Sequence, residues 1–134
     1  HNYGLYWLEQ GVAEDGSRTW TKHDIDTTRS QFHDLQLFDI DKDGHLDLIT
    51  GKRYYAHNGH DPGAEDPLGV YYYKINGGNF ERVTIDYGNA KIASGVGIYF
   101  WLEDIDQNGW TDIIAPGKEG LFLFRNQGPE DVPN

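Results

Sequence analysis

Cysteine is absent from the sequence, which excludes disulfide bonds, zinc sites built on thiolates and thiol nucleophiles. Any metal must therefore be held by oxygen or imidazole ligands. Basic residues are scarce, since 11 Lys and Arg stand against 22 Asp and Glu for a formal net charge of -11. Because this charge repels phosphate backbones, the composition disfavours nucleic-acid binding and suits hard cations instead.

Long apolar runs are also missing, and none approaches the roughly 18 residues that a membrane-spanning helix needs. The longest runs are VGIYFWL, from Val96 to Leu102, and LFLF, from Leu121 to Phe124, and both have the length of a strand. No basic segment is followed by an apolar core, so we expect that any signal peptide lies upstream of His1 or never existed.

Three sets of similar segments recur along the chain. They are GLYWLEQ from Gly4, GVYYYKI from Gly69 and GLFLFRN from Gly120; FDIDKDGHLDLITG from Phe38 and EDIDQNGWTDIIAPG from Glu103; and WTKHDID from Trp20 and FERVTID from Phe80. Gly4 and Gly69 lie 65 residues apart, as do Asp39 and Asp104. A repeated unit of about sixty residues therefore explains most of the chain.

The pattern within the repeated unit is that of β-strands. Short runs rich in β-branched and aromatic residues are bounded by Gly, Asn and Asp, and no segment has the 3.6-residue periodicity of a helix. In the central copy we predict strands at Phe32–Phe38, Leu46–Thr50, Val70–Ile75 and Phe80–Ile85. Four antiparallel strands per repeat, repeated radially, form a β-propeller blade. The sequence thus predicts an all-β fold of antiparallel four-stranded propeller blades, with loops between the strands that are described below.

The number of predicted strands sets the size of the assembly. From the start of the chain there are two strands of one blade, four of the next and three of another, about two blades' worth. We predict a single propeller segment, 1–134, with a partial unit at about 1–26, a full unit at 27–87 and a partial unit at 88–134. A closed propeller has about four to eight blades. The expected partners are therefore other blades, from the same parent chain or from further copies that pair through exposed strand edges.

Two loops carry acidic residues at alternating positions. The predicted ligands are Asp39, Asp41, Asp43, His45 and Asp47 in the first loop and Asp104, Asp106, Asn108, Trp110 and Asp112 in the second. Alternating carboxylates converge on one point, glycine at the sixth position permits a sharp turn, and oxygen ligands select Ca²⁺. His45 and Trp110 are expected to contribute their backbone carbonyls. We predict two calcium sites, the first of which binds more tightly because it has four carboxylates rather than three.

An EF-hand does not explain these loops. Its bidentate Glu at loop position 12 is replaced by Thr50 and Ala115, and no flanking helices are predicted. The alternative for a single loop is an ordinary turn, because Asp, Asn and Gly are common turn formers. Two copies in the same repeat register favour the metal site.

The motifs LFDIDKDGHLDLITG and LEDIDQNGWTDIIAPG resemble the FG-GAP/VCBS type of β-propeller repeat, whose signature loop is DxDxDGxxDL. The run GLFLFRNQG resembles the strand that follows, and the resemblance covers nearly the whole chain. It implies a calcium loop between the innermost strand of a blade and the next. It also implies an extracellular or secreted protein, since proteins with these repeats are mostly adhesins, integrin-like heads, lectins and some polysaccharide-active enzymes. Asn108 and the long insertion between Lys52 and Leu68 depart from the family pattern.

Two functions fit these observations. The first is an extracellular calcium-binding module with a structural or binding role, with a glycan or a protein as its ligand and with neither nucleic acid nor a membrane span. The alternative is the propeller part of a carbohydrate-active enzyme of the lyase or dehydratase type. Its catalytic candidates are His33, Lys52, Arg53, His57 and His60, with Asp61 beside them, and the insertion TGKRYYAHNGHDPG is similar to one in the aldos-2-ulose dehydratase propeller. The alternative role of these histidines is that of solvated turn residues.

Aromatic residues make up 14% of the chain, and many lie in predicted strands. We expect them to pack between blades, because large side chains supply most of the buried area. A sugar-stacking platform is the alternative. Within Tyr71–Tyr73 the middle residue must point away from its two neighbours, because side chains alternate along a strand.

Overall fold

Short alternating segments form an all-β structure, a computed structural model that describes residues 2–129. The strands are β1 Tyr3–Val12, β2 Arg18–Ser30, β3 Phe32–Phe38, β4 Asp47–Lys52, β5 Leu68–Asn76, β6 Asn79–Gly88, β7 Trp101–Glu103, β8 Asp112–Gly117 and β9 Gly120–Phe124. They form three open antiparallel sheets, each in chain order: sheet 1 (β1 and β2), sheet 2 (β3 to β6) and sheet 3 (β7 to β9). The two, four and three strands agree with the predicted count.

The predicted strands of the central copy all exist, and three of them are longer than predicted. Phe32–Phe38 agrees with the prediction, whereas β4, β5 and β6 continue through glycines that mark strand ends in the sequence pattern. Gly51 pairs with Val70, and Gly69 pairs with Tyr87. A side chain on Gly51 would lie 2.6 Å from the carbonyl oxygen of Gly69, so glycine here allows close approach of two strands rather than a turn.

The strand β5 is buried on both faces and separates two apolar clusters. Tyr71 and Tyr73 pack with Leu5 of sheet 1, whereas Val70 packs with Ile113 of sheet 3. Tyr72 lies against the second cluster, so the middle tyrosine does point away from its neighbours, as the alternation predicts. Sheet 2 is therefore the central layer, and each outer sheet covers one of its faces.

The apolar run from Val96 to Leu102 is less regular than its strand length suggests. Only its last two residues, in β7, belong to a strand. Val96 and Phe100 are nevertheless buried in the cluster between sheets 2 and 3. Gly97 permits this path, because a Cβ there would lie 2.4 Å from the carbonyl oxygen of Pro116.

The connection between β4 and β5 is the longest irregular stretch between the strands of one sheet. It contains one turn of 3₁₀ helix, Ala56–Gly59. Tyr55, His57 and Asn58 all have left-handed backbone conformations with φ between 44° and 57°, which are unusual for non-glycine residues. In the part of the chain that the structure describes, no helix is long and apolar enough to cross a membrane.

Candidate metal-binding loops

The two acidic loops occupy equivalent places, one between β3 and β4 and the other between β7 and β8. In the first, the two carboxylate oxygens of Asp39 accept the backbone N–H groups of Asp43 and Gly44, at 3.1 and 3.0 Å. In the second, Asp104 accepts the N–H groups at the same two positions, at 3.1 and 2.8 Å. In both loops the backbone therefore turns around the side chain of the first aspartate.

The backbone turns are also alike. Lys42 and Gln107, at the fourth position of each loop, have φ of 58° and 57°. Gly44 and Gly109, at the sixth position, have φ of 91° and 88°. The left-handed conformation at the sixth position favours glycine, because a Cβ is strained there. This explains why both loops carry glycine at that point.

The remaining acidic positions repeat the same contacts. The carboxylates of Asp41 and Asp106 accept the N–H group two residues on, at 3.2 and 3.3 Å. The fifth position, Asp43 or Asn108, accepts the N–H group of the seventh, at 2.9 and 2.7 Å. The ninth, Asp47 or Asp112, accepts the N–H group of the second at 3.1 Å in both loops. The loops are therefore two copies of one hydrogen-bonded structure.

Ligand atoms converge in each loop. One oxygen atom each from Asp39, Asp41 and Asp43 lies within 4.8 Å of the others, and the same is true of Asp104, Asp106 and Asp112. Oxygen-only groups of this kind suit Ca²⁺. The structure thus brings together six of the ten predicted ligands as two carboxylate triads.

The ninth position distinguishes the two loops. Asp47 is 1% exposed, and its Oδ1 has no hydrogen-bond partner among the described residues. Burial raises the pKa of Asp47, and the neighbouring charges of Asp41 and Asp43 add to the effect. In contrast, Oδ1 of Asp112 accepts the N–H group of Asn126 at 2.8 Å. The first loop therefore contains a buried carboxylate oxygen without a hydrogen-bond partner among the described residues, although Asp47 is not one of its three converging aspartates.

One basic residue contacts each acidic loop, from the third strand of sheet 2 or from just after the third strand of sheet 3. Lys74 of β5 forms ion pairs with Asp41 and, at 3.3 Å, with Asp43. Arg125, which follows β9, forms an ion pair with Asp106. The hydrogen bond to Asp41 raises the pKa of Lys74. Each basic side chain balances part of the negative charge and orients the third-position carboxylate.

Sequence reasoning missed these two basic residues. The signal was present, because Lys74 and Arg125 hold the same position in GVYYYKI and GLFLFRN. In GLYWLEQ this position is Glu9. In the two copies that contain an acidic loop, the residue at this position is basic.

The two loops lie side by side. The Nζ of Lys42 in the first loop donates to the carbonyl of Gly109 in the second, and it lies 4.6 Å from the ring centroid of Trp110. Asn126 donates from its Nδ2 to the carbonyl of Ile40 at 3.0 Å. These contacts connect the two loops directly.

The catalytic candidates have different surroundings. His33 is an exposed residue of β3 whose Nδ1 lies 3.1 Å from the carbonyl oxygen of Ile98. His57 is paired with Asp61, with 2.7 Å between Nδ1 and Oδ2. Among residues 2–129, His57, His60 and Asp61 do not form a group of three converging metal ligands. The histidine loop thus contains one His–Asp pair.

Lys52 and Arg53 are adjacent in sequence but differ in solvent exposure. Lys52 ends β4 and is 1% exposed, although it is a lysine. Arg53 follows the strand, and its backbone N–H donates to the carbonyl of Gln31 at 3.0 Å. The predicted pair of neighbouring cations is therefore one buried ammonium group and one partly buried guanidinium group.

No model of a known protein family matches the chain, and neither a curated protein nor a solved structure matches it. The resemblance to FG-GAP/VCBS repeats rests on the loop motifs of the sequence.

Proposed function

We propose that the chain is an extracellular calcium-binding β-propeller module of the FG-GAP/VCBS repeat type, with a structural or binding role. The observation that supports calcium is the duplicated loop: two segments 65 residues apart repeat the same hydrogen bonds around converging carboxylates. An ordinary turn needs only one or two such contacts. The repetition of the whole set favours selection for a ligand common to both loops.

Calcium would stabilise the loops by offsetting repulsion between carboxylates. In the first loop, three converging aspartates and the buried Asp47 face one cationic side chain, Lys74. A divalent ion supplies the missing positive charge, and it offers a partner to Oδ1 of Asp47. Because each loop connects two strands of one sheet, the ion would fix the start of β4 and of β8 relative to the preceding strand.

The blade arrangement is supported by the two outer faces of the stack. Tyr6 and Leu8, on the outer face of sheet 1, are 52% and 51% exposed. Their repeat equivalents in sheet 2, Tyr71 and Tyr73, are 0% and 1% exposed, because sheet 1 covers them. We call the surface formed by Tyr6, Leu8 and Trp20 the first end face. It has the residue types of a covered face and lacks a cover among the described residues.

Sheet 3 has an exposed outer face that corresponds to the opposite face of sheet 2. Leu121 and Leu123 are 73% and 46% exposed, and they correspond in the repeat to Val70 and Tyr72, which sheet 3 covers in sheet 2. Trp101 pairs with Ile114 of β8, and Ile114 pairs with Leu123, so Trp101 lies on the same face of sheet 3. These three residues, Trp101, Leu121 and Leu123, form the second end face. The two end faces are therefore the two halves of the internal interface. We propose that further blades cover them, from the same parent chain or from further copies.

Isothermal titration with calcium tests the metal sites. The expected result is two sites per chain with dissociation constants on the order of 10⁻⁴ to 10⁻³ M, as in extracellular modules. Asp39→Asn should remove the first site and Asp104→Asn the second. Asp15→Asn is the matched control, because Asp15 caps the β1–β2 turn at Ser17, far along the chain from both loops. Absence of stoichiometric binding at millimolar calcium would refute the proposal.

A further inference from the structure

A small pocket lies at the end of β4 that is remote from the acidic loops. It has a volume of about 150 Å³, and it is lined by Arg29, Ser30, Lys52, Asp66, Pro67 and Tyr87, with Thr28. The strand β4 runs from Asp47 to Lys52, so at about 3.3 Å per residue the pocket is separated from the first acidic loop by roughly 17 Å. The pocket is therefore distinct from the metal-binding loops.

The ammonium group of Lys52 is buried in the wall of this pocket with little compensation. Its Nζ donates to the carbonyl of Ala64 at 3.3 Å, and no carboxylate of the described residues lies within ion-pair distance. Burial lowers the pKa of Lys52, although the charges of Asp66 and Glu119 oppose this. A buried ammonium with unused donors is costly unless an acceptor meets it.

Arg29 contributes a second cation to the same pocket. Its guanidinium lies 4.8 Å from the ring centroid of Tyr87, which fixes its plane. One terminal nitrogen donates to the carbonyl of Thr28 at 3.3 Å, whereas the buried Nε has no hydrogen-bond partner among the described residues. The guanidinium also lies close enough to the Tyr71 hydroxyl to oppose the rise that burial causes in the pKa of Tyr71. Two cationic groups thus line one small cavity, and Nε of Arg29 has no hydrogen-bond partner among the described residues.

Asp66 does not fully balance these charges. Its Oδ2 accepts the hydroxyl of Tyr3 at 2.5 Å, and it is the one acidic residue of the lining against two basic ones. Glu119, whose charge also acts on Lys52, is not part of the lining, and its Oε1 accepts the N–H group of Gly95 at 2.7 Å. The lining itself therefore carries two basic residues and one acidic residue, within a chain of net charge -11. Because general surface charge would favour the opposite sign, this local excess points to an anionic ligand.

We propose that this pocket binds the carboxylate of a small organic acid, through Lys52 and Arg29. A carboxylate is planar and accepts several hydrogen bonds, so it can pair with the donors of a guanidinium and an ammonium together. The volume admits a carboxylate with a few further atoms, either a free small acid or the acidic end of a sugar acid. Asp66 then accepts hydrogen bonds from hydroxyl groups of the ligand. The proposal does not depend on calcium.

Amide chemical shifts of the ¹⁵N-labelled full chain provide the test, at fixed calcium concentration and fixed ionic strength. Sodium acetate, sodium glucuronate and glucose are added to about 50 mM, which detects millimolar dissociation constants. We expect glucuronate to shift the amides of Ser30, Lys52 and Leu68, and glucose to leave them unchanged. Equal affinity for acetate identifies the carboxylate alone as the ligand, and tighter binding of glucuronate identifies a sugar acid. Absence of shifts with both acids overturns the proposal.

Two variants assign the effect to the pocket. Lys52→Met keeps the length of the side chain and should weaken binding at least about tenfold, with an unchanged or higher thermal midpoint because a buried charge is removed. Arg29→Gln should weaken binding similarly and provides a second test if Lys52→Met is unstable. Lys22→Met is the control, since Lys22 is exposed and pairs with Asp24. Unchanged affinity in the Lys52 and Arg29 variants would show that the acids bind elsewhere.

Discussion

Replacing Asp26 tests whether a buried polar contact holds sheets 1 and 2 together. Asp26 lies in β2, and its Oδ1 accepts two hydrogen bonds from Thr28, at 2.8 and 2.7 Å. Its Oδ2 accepts the hydroxyl of Tyr73 at 2.8 Å and a guanidinium nitrogen of Arg82 at 2.5 Å, both from sheet 2. The side chain of Asp26 is 5% exposed in this ion pair. Asp26→Asn therefore removes the charge and two of the four acceptor contacts.

The expected loss follows from these contacts. Breaking a buried ion pair from one side costs about 3 to 5 kcal/mol. The side chain of Arg82 is 30% exposed, so water compensates part of the loss. We therefore expect Asp26→Asn to lower the free energy of unfolding by about 2 to 4 kcal/mol. This is a large share of the total of about 5 to 15 kcal/mol that is usual for a domain.

Urea denaturation at pH 7 measures this change through the transition midpoint. The control is Asp24→Asn on the same strand, because Asp24 pairs with Lys22 at the surface, where both side chains are more than half exposed. Such exposed pairs contribute less than about 1 kcal/mol. Equal effects of the two substitutions would show that the contact of Asp26 with sheet 2 contributes nothing beyond a surface charge.

The same residue sets a pH dependence. Burial alone would raise the pKa of Asp26, but hydrogen bonds from Thr28, Tyr73 and Arg82 outweigh it and lower the pKa. A depressed folded pKa means that the stabilisation is present above the unfolded value, near about 4, and is lost as the pH falls through the folded value. The acid limb of the stability curve should be shallower in Asp26→Asn than in the wild type.

Three further predictions concern the loops, the end faces and the glycines. Removing 5 mM calcium should lower stability by about 2 kcal/mol for a site with a dissociation constant near 10⁻⁴ M, a fall of roughly 5 to 8 °C in the thermal midpoint; an unchanged midpoint contradicts this. If copies cover the end faces, Leu8→Lys and Leu121→Lys should each be monomeric by light scattering and should form dimers when mixed, whereas a variant that dimerises alone contradicts head-to-tail packing. Gly95→Ala should lower the free energy of unfolding by about 1 to 3 kcal/mol, measured by urea denaturation, because its Cβ would lie 2.0 Å from the carbonyl oxygen of Lys52. An unchanged urea midpoint would mean that the backbone shifts to accommodate the methyl group.

Strand positions were predictable because alternation and turn residues are local signals. The central tyrosines show this, since their order along the chain determines which face each one meets. Strand ends were less predictable, because glycine is typical of turns, whereas Gly51 and Gly69 lie inside two strands that approach each other closely. Whether a glycine ends a strand depends on the neighbouring strand, which a single sequence segment does not specify.

The candidate site was predictable in part for the same reason. The acidic loops are local, so their spacing determines the convergence of Asp39, Asp41 and Asp43. Lys74 contacts the loop from another strand of the same sheet, and only its repeated position in the sequence gives a signal of this role. Asp26 contacts residues of a different sheet that are 47 and 56 positions away, and no local pattern indicates those contacts. The burial of Lys52 was missed similarly, since lysine is rarely buried and its position at the end of β4 gives no indication of it.

The double burial of β5 has a consequence for how the fold opens. Because β5 contributes to both apolar clusters, separation of either outer sheet disrupts one cluster and leaves the other intact. Opening of the central strand disrupts both at once. Amide hydrogen exchange should therefore be slowest along Val70–Tyr73 and progressively faster toward β1 and β9, so that the chain loses its sheets from the outside inward.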